Sequence, residues 1–525
     1  MENAEKQQLL DEIAKRDEII ATQAAVILIL RQNIYALCRR IFGASSEKLD
    51  PGQGLFDFLA ATPSASEAPA PAEAAPAIEI VKKAKKTTKT RAPRIPEHLP
   101  IVREEIIPPE LQLDPEAFRR IGEEVTEQIG FKPADFFRTQ VVRVKFVRID
   151  NPIAPPVIAP LPPCLQERCI ASPGNISEVI YNRFVLHLPY YRQVEMYNSM
   201  GVNFHRKTLC DWALLGSDWL DIIYREIQQE HWRSPYRQLD ETPIRYLEPG
   251  SGKAQTGYLW TSNIPGGSIF FHWHQGRDAA GIDALFAPDP ENAATLSDKE
   301  LEKLMAIIQC DGYQVYRSRA EKRRWLKLIG CCAHLRRKFF EATEQSPRLI
   351  AWILYQIGLL YLIEDRLRKT KAGPALREAV RASESRMIHQ RLHKVIIRLS
   401  KRGILPRTKL GKAITYALNQ WQYLEGYLTD GRVEIDNNLV ENGIRPSKLG
   451  QKNWLFIGNS EAGRKCAILY TIVENCRRLK IDVREYLTDV LTRLPAMKSS
   501  EASILTPAVW LQARSGKVVP RSLSS

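Results

Sequence analysis

Three acidic residues of this 525-residue chain stand where an apolar run ends or a polar helix begins. Asp240 follows YRQL, Asp311 directly follows AIIQC, and Glu441 lies within EIDNNLVENGIRPSKLG. Three clustered carboxylates repel one another unless cations lie between them. Carboxylate oxygens suit Mg²⁺ or Mn²⁺, and two such ions about 4 Å apart clamp the attacking and leaving oxygens of a phosphodiester. The pattern therefore predicts phosphodiester chemistry, although DG is also an ordinary turn and DNN an ordinary helix start.

The elements predicted around these acids form an α/β pattern. YRQLDETPIRYLE, GYLWTSNI and GSIFFHWHQG read as three strands separated by turns, and LMAIIQCDGY as a short strand ending at an acid. WLKLIGCCAHLRRKFFEA is a strand leading into a basic helix. In a mixed sheet where a three-strand meander is followed by a parallel strand, the first and fourth strands are neighbours. Asp240 and Asp311 then face each other at one end of the sheet, and a helix brings Glu441 to them.

The catalytic α/β region is predicted to span residues 233–475, with one large interruption. Residues 345–430 are mostly helical by periodicity, and their strip IRLSKRGILPRTKLGK is basic. GRKCAILYTIVENCRRLK and VREYLTDVLTRL are the last two predicted helices, so residues 476–525 form a helical tail.

A helix-turn-helix-like segment is predicted over residues 171–232. LPYYRQVEMYNSMGV is helical up to Gly201, a natural turn residue, and FHRKTLCDWALLGSDWL resumes a helix. Arg206 and Lys207 stand where a recognition helix would meet DNA. The alternative is a helical hairpin with a purely structural role.

Residues 99–170 contain the alternating run FFRTQVVRVKFVRI, which predicts a strand. Cys164 and Cys169 form a C-x₄-C pair, but one pair supplies at most two ligands and no second pair follows at zinc spacing. We therefore expect no zinc here.

The first 45 residues are predicted to form a coiled coil that mediates self-association, or else one amphipathic helix packed on its own chain. The seven-residue repeat consists of Ile13, Ile20, Ile27, Ile34 and Ile41. Residues 46–98 form a linker that is first rich in Ala and Pro and then rich in Lys. Its cationic run is predicted to hold phosphates without reading sequence, through Lys82, Lys83, Lys85 and Lys86.

The charge and cysteine content narrow the class of protein. A net charge of +15 and a pI near 9.3 favour an anionic partner, most simply nucleic acid, over general solubility alone. The nine cysteines are scattered and odd in number, which indicates reduced thiols in a cytosol. No apolar run is long enough to span a bilayer, and the N-terminus does not read as a signal peptide.

Several stretches resemble one family of enzymes. LDETPIRYL, IIQCDGYQVY, AHLRRKFFEA and EIDNNLVENGIRPSKLGQKNWLF are similar, in order and spacing, to signature blocks of the insertion-sequence-66 family of bacterial DDE transposases. The resemblance covers most of the chain outside the linker and the extreme C-terminus. It implies an RNase H-like core, a mixed five-stranded sheet with flanking helices, in which Asp240, Asp311 and Glu441 bind the metal ions. The family commonly carries a cysteine zinc finger before this core, and residues 99–170 are predicted to be a degenerate, zinc-free and DNA-binding counterpart of it.

On this reading, Glu441 closes the metal site and its helix supplies supporting groups. Asp436 is predicted to cap that helix, or to act as an alternative ligand. Asn437 lies one turn before Glu441 and Arg445 one turn after it, on the same face. Asn437 is predicted to fix the carboxylate or a water at the metal. Arg445 is predicted to hold the scissile phosphate, or to form a plain salt bridge with Glu441.

The basic helix AHLRRKFF supplies phosphate contacts rather than a general base, through His334, Arg336 and Arg337. The predicted function is a transposase that cleaves DNA at the ends of an insertion sequence and joins the freed 3′-hydroxyl to target DNA. The alternatives are an RNase H-fold nuclease or resolvase, and an inactive DNA-binding regulator. The expected partners are double-stranded DNA, further copies of this chain and accessory proteins of the same element, in the bacterial cytoplasm and without a membrane.

Overall fold

The computed structural model describes residue 95 and residues 99–514, apart from gaps at 110, 112–114, 133–134, 152, 249, 290–296, 298–299 and 302–303. All of these belong to the second of two compact units, Thr90–Ser525. The predicted coiled coil and the four linker lysines lie outside the described residues and stay predictions.

A sheet of four strands occupies the N-terminal part of the described chain. Two long strands, β2 and β3, form an antiparallel hairpin, and β3 also pairs with β1 in parallel and with β4 antiparallel. Its buried side chains Val142, Val144 and Phe146 alternate along β3 with the half-buried cations Arg143 and Lys145, as the sequence predicted for this run. The strands are β1 (Ile101–Ile106), β2 (Phe118–Lys132), β3 (Asp135–Arg148) and β4 (Val157–Ile158).

Three helices connect this sheet to the next. Ser172 caps the first helix by accepting the N–H of Asn175 at 3.2 Å, and Pro173 follows as its first residue. Gly201 adopts a φ of 80° after the second helix, a conformation that favours glycine. The predicted helices on either side of this turn are therefore present. The helices are α1 (Pro173–Phe184), α2 (Tyr190–Ser199) and α3 (Arg206–Arg233).

A mixed five-stranded sheet forms the centre of the fold, in the order β7-β6-β5-β8-β9. The first three strands are antiparallel neighbours, whereas β8 runs parallel to both β5 and β9. The predicted meander and its parallel fourth strand are confirmed. The elements are β5 (Tyr236–Leu247), β6 (Ala254–Asn263), β7 (Ile269–His274), α4 (Ala279–Asp283), β8 (Ala306–Gln309), α5 (Gln314–Glu321), β9 (Leu326–Ile329) and α6 (Cys332–Glu341).

Helices make up the next stretch of chain, which we call the helical insertion (residues 347–429). They share a core cluster to which α7 contributes Ile350, Ile353 and Ile357. Contrary to the sequence analysis, α7 is long and apolar enough to cross a membrane by length and composition, although 39% of its most apolar stretch is buried inside the protein. A core helix meets the same criteria. The elements are α7 (Pro347–Lys369), α8 (Pro374–Val380), a π-helical turn (Arg381–Ser385), α9 (Arg386–Ser400), α10 (Lys409–Leu424) and a 3₁₀ turn (Gly426–Thr429).

One of the C-terminal helices covers the edge of the central sheet. Asn475 and Thr471 of α12 accept the backbone N–H groups of Ile269 and Phe271 on the edge strand β7. Because α12 packs along this strand as one piece, the expected boundary at 475–476 falls inside a helix. A further helix, α14, follows the two that were predicted to be last. The helices are α11 (Asn438–Trp454), α12 (Ser460–Arg478), α13 (Val483–Arg493) and α14 (Pro507–Arg514).

Candidate active site

Strand register brings the two aspartates level with each other. The last paired residues of β5 and β8 are Gln238 and Gln309, and each aspartate lies two residues further along its own segment. Burial, together with repulsion from Glu241, Asp311 and Glu441, raises the pKa of Asp240 to about 8. The three acids singled out in the sequence therefore lie close enough to act on one another. Asp240 is half-buried, as is Asp311.

The turn after β8 fixes Asp311. Its Oδ1 accepts the backbone N–H of Tyr313 at 2.9 Å, so the turn expected from the DG dipeptide is also formed. Gly312 has no room for a Cβ, because the Tyr416 ring of α10 lies 2.7 Å from that position. A helix of the insertion thus packs directly beside one of the candidate catalytic acids.

Glu241, the neighbour of Asp240 in β5, was not identified from the sequence. Its side chain is 3% exposed and forms an ion pair with Arg277 at 2.5 Å, while the Tyr316 hydroxyl donates to it at 2.7 Å. The Arg277 guanidinium also lies over the Tyr313 ring, 4.1 Å from its centroid. Because residues alternate along a strand, Glu241 faces away from Asp240 and stabilises the turn that holds Asp311. An acid inside a buried strand was the only signal for it.

Glu441 faces the basic helix α6 across the site. Its Oε1 lies 3.8 Å from His334 Nε2, and its Oε2 lies 3.8 Å from Arg337 NH2. Burial lowers the pKa of His334, against the opposing effect of Glu441 and Asp311. Glu441 Oε1 and His334 Nδ1 are both buried without a hydrogen-bond partner. The structure therefore brings two of the three predicted phosphate contacts to Glu441, and Arg336 is half-buried on the same helix.

Arg445 and Asp436 do not make the salt bridge and the helix cap that were the simplest predictions for them. Arg445 is exposed, and among the described residues no ion pair joins it to Glu441, so the plain salt bridge is not formed. The N-cap position of α11 belongs to Asn437 rather than to Asp436. Asp436, one residue earlier, accepts the N–H of Asn438 at 3.1 Å and the Tyr361 hydroxyl at 2.8 Å. Its carboxylate therefore links the start of α11 to the half-buried Tyr361 of α7.

Asn437 is fully buried, and neither atom of its side-chain amide has a hydrogen-bond partner. A buried amide left unsatisfied is costly, so such a group points to a ligand or water that completes it. It lies one turn before Glu441, as the sequence predicted. Together with Glu441 Oε1 and His334 Nδ1, it gives this region three polar groups without partners.

A buried polar network that was not predicted holds the approach to α11. The Gln238 amide donates to the Asp436 carbonyl at 2.8 Å, and the Gln309 amide donates to the Glu434 carbonyl at 2.7 Å. The two glutamines also bond each other at 2.9 Å. Since each glutamine lies two residues before an aspartate, on the same side of its segment, the network ties the position of Glu441 to the same strand ends.

The remaining candidates lie on other elements. Arg206 and Lys207 are exposed at the start of α3, where Lys207 pairs with Asp211 at 2.7 Å. Cys164 is exposed and Cys169 half-buried. Across the described ranges, no group of three or more His, Cys, Asp or Glu side chains is already arranged to hold a metal ion.

A mixed sheet that carries acids at the ends of neighbouring strands and is covered by helices fits an α/β protein of the transposase type. Residues 168–465 match the model of the Transposase IS66 family, and residues 29–106 match a model described as "Transposase C of IS166 homeodomain". The chain therefore belongs to the IS66 family of transposases.

Two similar proteins come from Sinorhizobium fredii (strain NBRC 101917 / NGR234). "Uncharacterized protein y4jD" is 27% identical over 508 residues, which cover 92% of this chain and 94% of that protein. "Uncharacterized protein y4qI" is 29% identical over 424 residues, which cover 77% of this chain and 75% of that protein. The similarity to y4jD thus extends over nearly the full length of both chains.

Proposed function

We propose that this chain cleaves DNA at the ends of an insertion sequence and joins those ends to target DNA, with Asp240, Asp311 and Glu441 as its catalytic acids on an RNase H-like core. The observation that carries the proposal is the convergence of three acids from β5, the end of β8 and α11. Their mutual repulsion contributes to the raised pKa of Asp240. Clefts in which burial and like charges perturb a carboxyl group are where catalytic acids are found.

The chemistry of the three acids fits Mg²⁺ or Mn²⁺. All three offer hard oxygen ligands, which these ions prefer. Burial and the neighbouring acids raise the pKa of Asp240 to about 8, an effect that a bound cation would oppose, and the buried Glu441 Oε1 has no donor. Asp240, Asp311 and Glu441 would hold two such ions, which when bound supply Lewis-acid catalysis of phosphodiester cleavage. No zinc is required by this chemistry.

The neighbouring side chains position the DNA. His334 and Arg337 on α6 face Glu441, and the half-buried Arg336 lies on the same helix. The two arginines would supply positive charge for the scissile phosphate, and His334 would supply a hydrogen bond to it. Asn437 presents an unsatisfied amide one turn from Glu441, suited to orient a water molecule. Arg445 is exposed and therefore accessible to a phosphate on the next turn.

The DNA is held outside this centre as well. Arg206 and Lys207 lie at the exposed N-terminus of α3, in the position expected for contacts with base edges. Residues 99–170 form a further DNA-binding region, and Lys82, Lys83, Lys85 and Lys86 bind phosphates without sequence preference. The N-terminal heptads join copies of the chain, accessory proteins of the same element assist, and the reaction takes place in the bacterial cytoplasm.

A plasmid cleavage assay tests the proposal. Purified protein is incubated with a supercoiled plasmid carrying candidate element ends, in Mg²⁺ or in EDTA. We expect cleavage only with the divalent ion, and no cleavage by Asp240→Asn, Asp311→Asn or Glu441→Gln. Each variant keeps the side-chain size and removes a charge, so DNA binding is retained. Asp365→Asn, at a half-exposed acid of α7, is the matched control and cleaves normally. Full activity in any triad variant would refute the assignment.

A further inference from the structure

The segment between the helical insertion and α11 (residues 430–437) is irregular but buried. It forms neither helix nor strand, yet Val433, Ile435 and Asn437 are completely inaccessible to solvent. The polar backbone groups of a buried irregular segment must find partners elsewhere in the protein. Those partners decide where α11 begins, and therefore where Glu441 lies.

One set of partners comes from the central sheet. In addition to the two glutamine amides, the Tyr236 hydroxyl accepts the N–H of Glu434 at 3.0 Å. The N–H of Cys332, at the start of α6, donates to the Ile435 carbonyl at 3.2 Å. These bonds fix the segment against the strand ends that carry the two aspartates.

A second set of partners comes from the helical insertion. The Tyr361 hydroxyl of α7 donates to Asp436 Oδ2 at 2.8 Å, the residue before the N-cap of α11. Arg368 and Arg377 each donate to the Glu434 carboxylate at 3.1 Å. The carbonyl of Pro374 approaches Gly431 so closely that no Cβ would fit there.

A buried ion pair anchors this second set. Arg381 and Glu364 are both fully buried and joined by two hydrogen bonds of 2.7 and 2.8 Å. Arg381 also donates to the carbonyls of Tyr427 and Asp430, at the start of the segment. Arg381 opens the π-helical turn, a local irregularity that is frequent at functional sites. The insertion is therefore hydrogen-bonded to this segment at both ends, through Arg381 at Asp430 and through Tyr361 at Asp436.

We infer that the helical insertion positions the catalytic carboxylate of Glu441, and that Tyr361 is the positioning residue that makes the final link through Asp436. This inference rests on the proposed function in taking Glu441 as a catalytic acid. The Tyr361 hydroxyl bonds Asp436, which is not one of the three proposed catalytic acids, so Tyr361 acts on Glu441 only through α11. The insertion is then part of the catalytic apparatus even though it carries none of the triad.

The test compares Tyr361→Phe, which removes only the hydroxyl, with Tyr355→Phe, at an exposed tyrosine of the same helix. At saturating DNA we expect Tyr361→Phe to cleave about tenfold more slowly, because a hydrogen bond to a charged group is lost. Its DNA affinity remains that of the wild type, and its thermal midpoint falls by no more than the loss of one partly buried hydrogen bond predicts, so the variant is still folded at the assay temperature. Tyr355→Phe behaves as the wild type throughout. Gly431→Ala, which forces the Pro374 carbonyl away, is a second variant that should also slow cleavage, and it should lower the thermal midpoint as well because backbone must shift.

Hydrogen–deuterium exchange measures how firmly the start of α11 is held, and this measurement does not depend on DNA cleavage. In Tyr361→Phe the amides of residues 438–445 should exchange faster, whereas those of α1 should not change. Wild-type rates of both cleavage and exchange in Tyr361→Phe would overturn the inference. If the wild-type protein itself does not cleave DNA, the proposed function fails, and the exchange measurement alone then decides whether the insertion positions α11.

Discussion

Two groups of buried acids in this protein are built in opposite ways. In the helical insertion, Glu364 is fully buried and meets the guanidinium groups of Arg381 and Arg377. These arginines lower its pKa against the effect of burial. At the end of the central sheet, the strongest charged neighbours of Asp240 are other acids, and its pKa rises to about 8.

The difference shows which group serves the fold and which serves a ligand. A buried carboxylate that is paired and fully hydrogen-bonded needs nothing further. Carboxylates that repel each other, next to an unsatisfied Asn437 amide, leave the folded protein less stable than it could be. Such an arrangement is retained where a bound group relieves it, which is the expectation for a metal site.

The largest stability effect should come from breaking the satisfied group. Arg381→Ala leaves Glu364 buried without its main partner, and we expect the free energy of unfolding to fall by about 3–5 kcal/mol. Chemical denaturation measures this change. Arg386→Ala, at an exposed arginine five residues later, should change it by less than about 0.5 kcal/mol. Equal effects of the two variants would contradict the structural role of the pair.

The same pair should carry a pH dependence of defined sign. The pKa of Glu364 is lowered in the folded protein, so its stabilisation is present above the unfolded pKa of about 4.5 and is lost as the pH falls through the lower folded value. Glu364→Gln should therefore be destabilised by about 3 kcal/mol at pH 7. Denaturation curves of both proteins between pH 7 and pH 3 should converge at the acid end. A difference that does not change with pH would argue against a charged pair.

The stability of the acid cluster around Asp240 should depend on a divalent cation rather than on an internal ion pair. Replacing EDTA with Mg²⁺ should raise the free energy of unfolding of the wild type by about 1–3 kcal/mol, because only the folded state presents the site. Asp240→Asn should lose this gain, whereas Asp365→Asn should keep it. Thermal unfolding with and without Mg²⁺ measures the effect. An equal gain in all three proteins would place the cation elsewhere.

The smallest stability effect is expected at the exposed charges of α3. Replacing Arg206 and Lys207 by alanine should change the free energy of unfolding by less than about 0.5 kcal/mol, since the ion pair of Lys207 with Asp211 is a solvated one. Discrimination between element ends and random DNA should nevertheless fall, by about 1–3 kcal/mol for each lost base contact. Competition binding at several salt concentrations measures it. Full discrimination in the double variant would make this helix pair purely structural.

Much of the central sheet could be predicted from the sequence because its signals are local. The alternating runs of β5, β6 and β7 and the apolar run of β8 fix the strand type within a few residues. A meander followed by a parallel strand then placed Asp240 beside Asp311. Turn chemistry gave the bend at Gly201 in the same way.

The supporting residues could not be predicted, because their partners lie far away in the chain. Gln238 bonds the carbonyl of Asp436, and Tyr361 bonds its carboxylate, over separations of 198 and 75 residues. Asp436 looked like an N-cap because its type favours that position, but Asn437 takes the N-cap position, and the second oxygen of Asp436 accepts a hydroxyl from α7. Arg445 looked like a partner of Glu441 by helical spacing, but it points to solvent.

The sequence by itself determined the elements, the order of the strands around Asp240 and Asp311, and the residue types available for a carboxylate site. Those depend on periodicity, turn residues and side-chain chemistry, which act over a few residues. Only the tertiary structure decided which groups are satisfied and which are not. Burial and long-range partners set that balance, since they lower the pKa of Glu364 beside Arg381 and raise that of Asp240 among other acids.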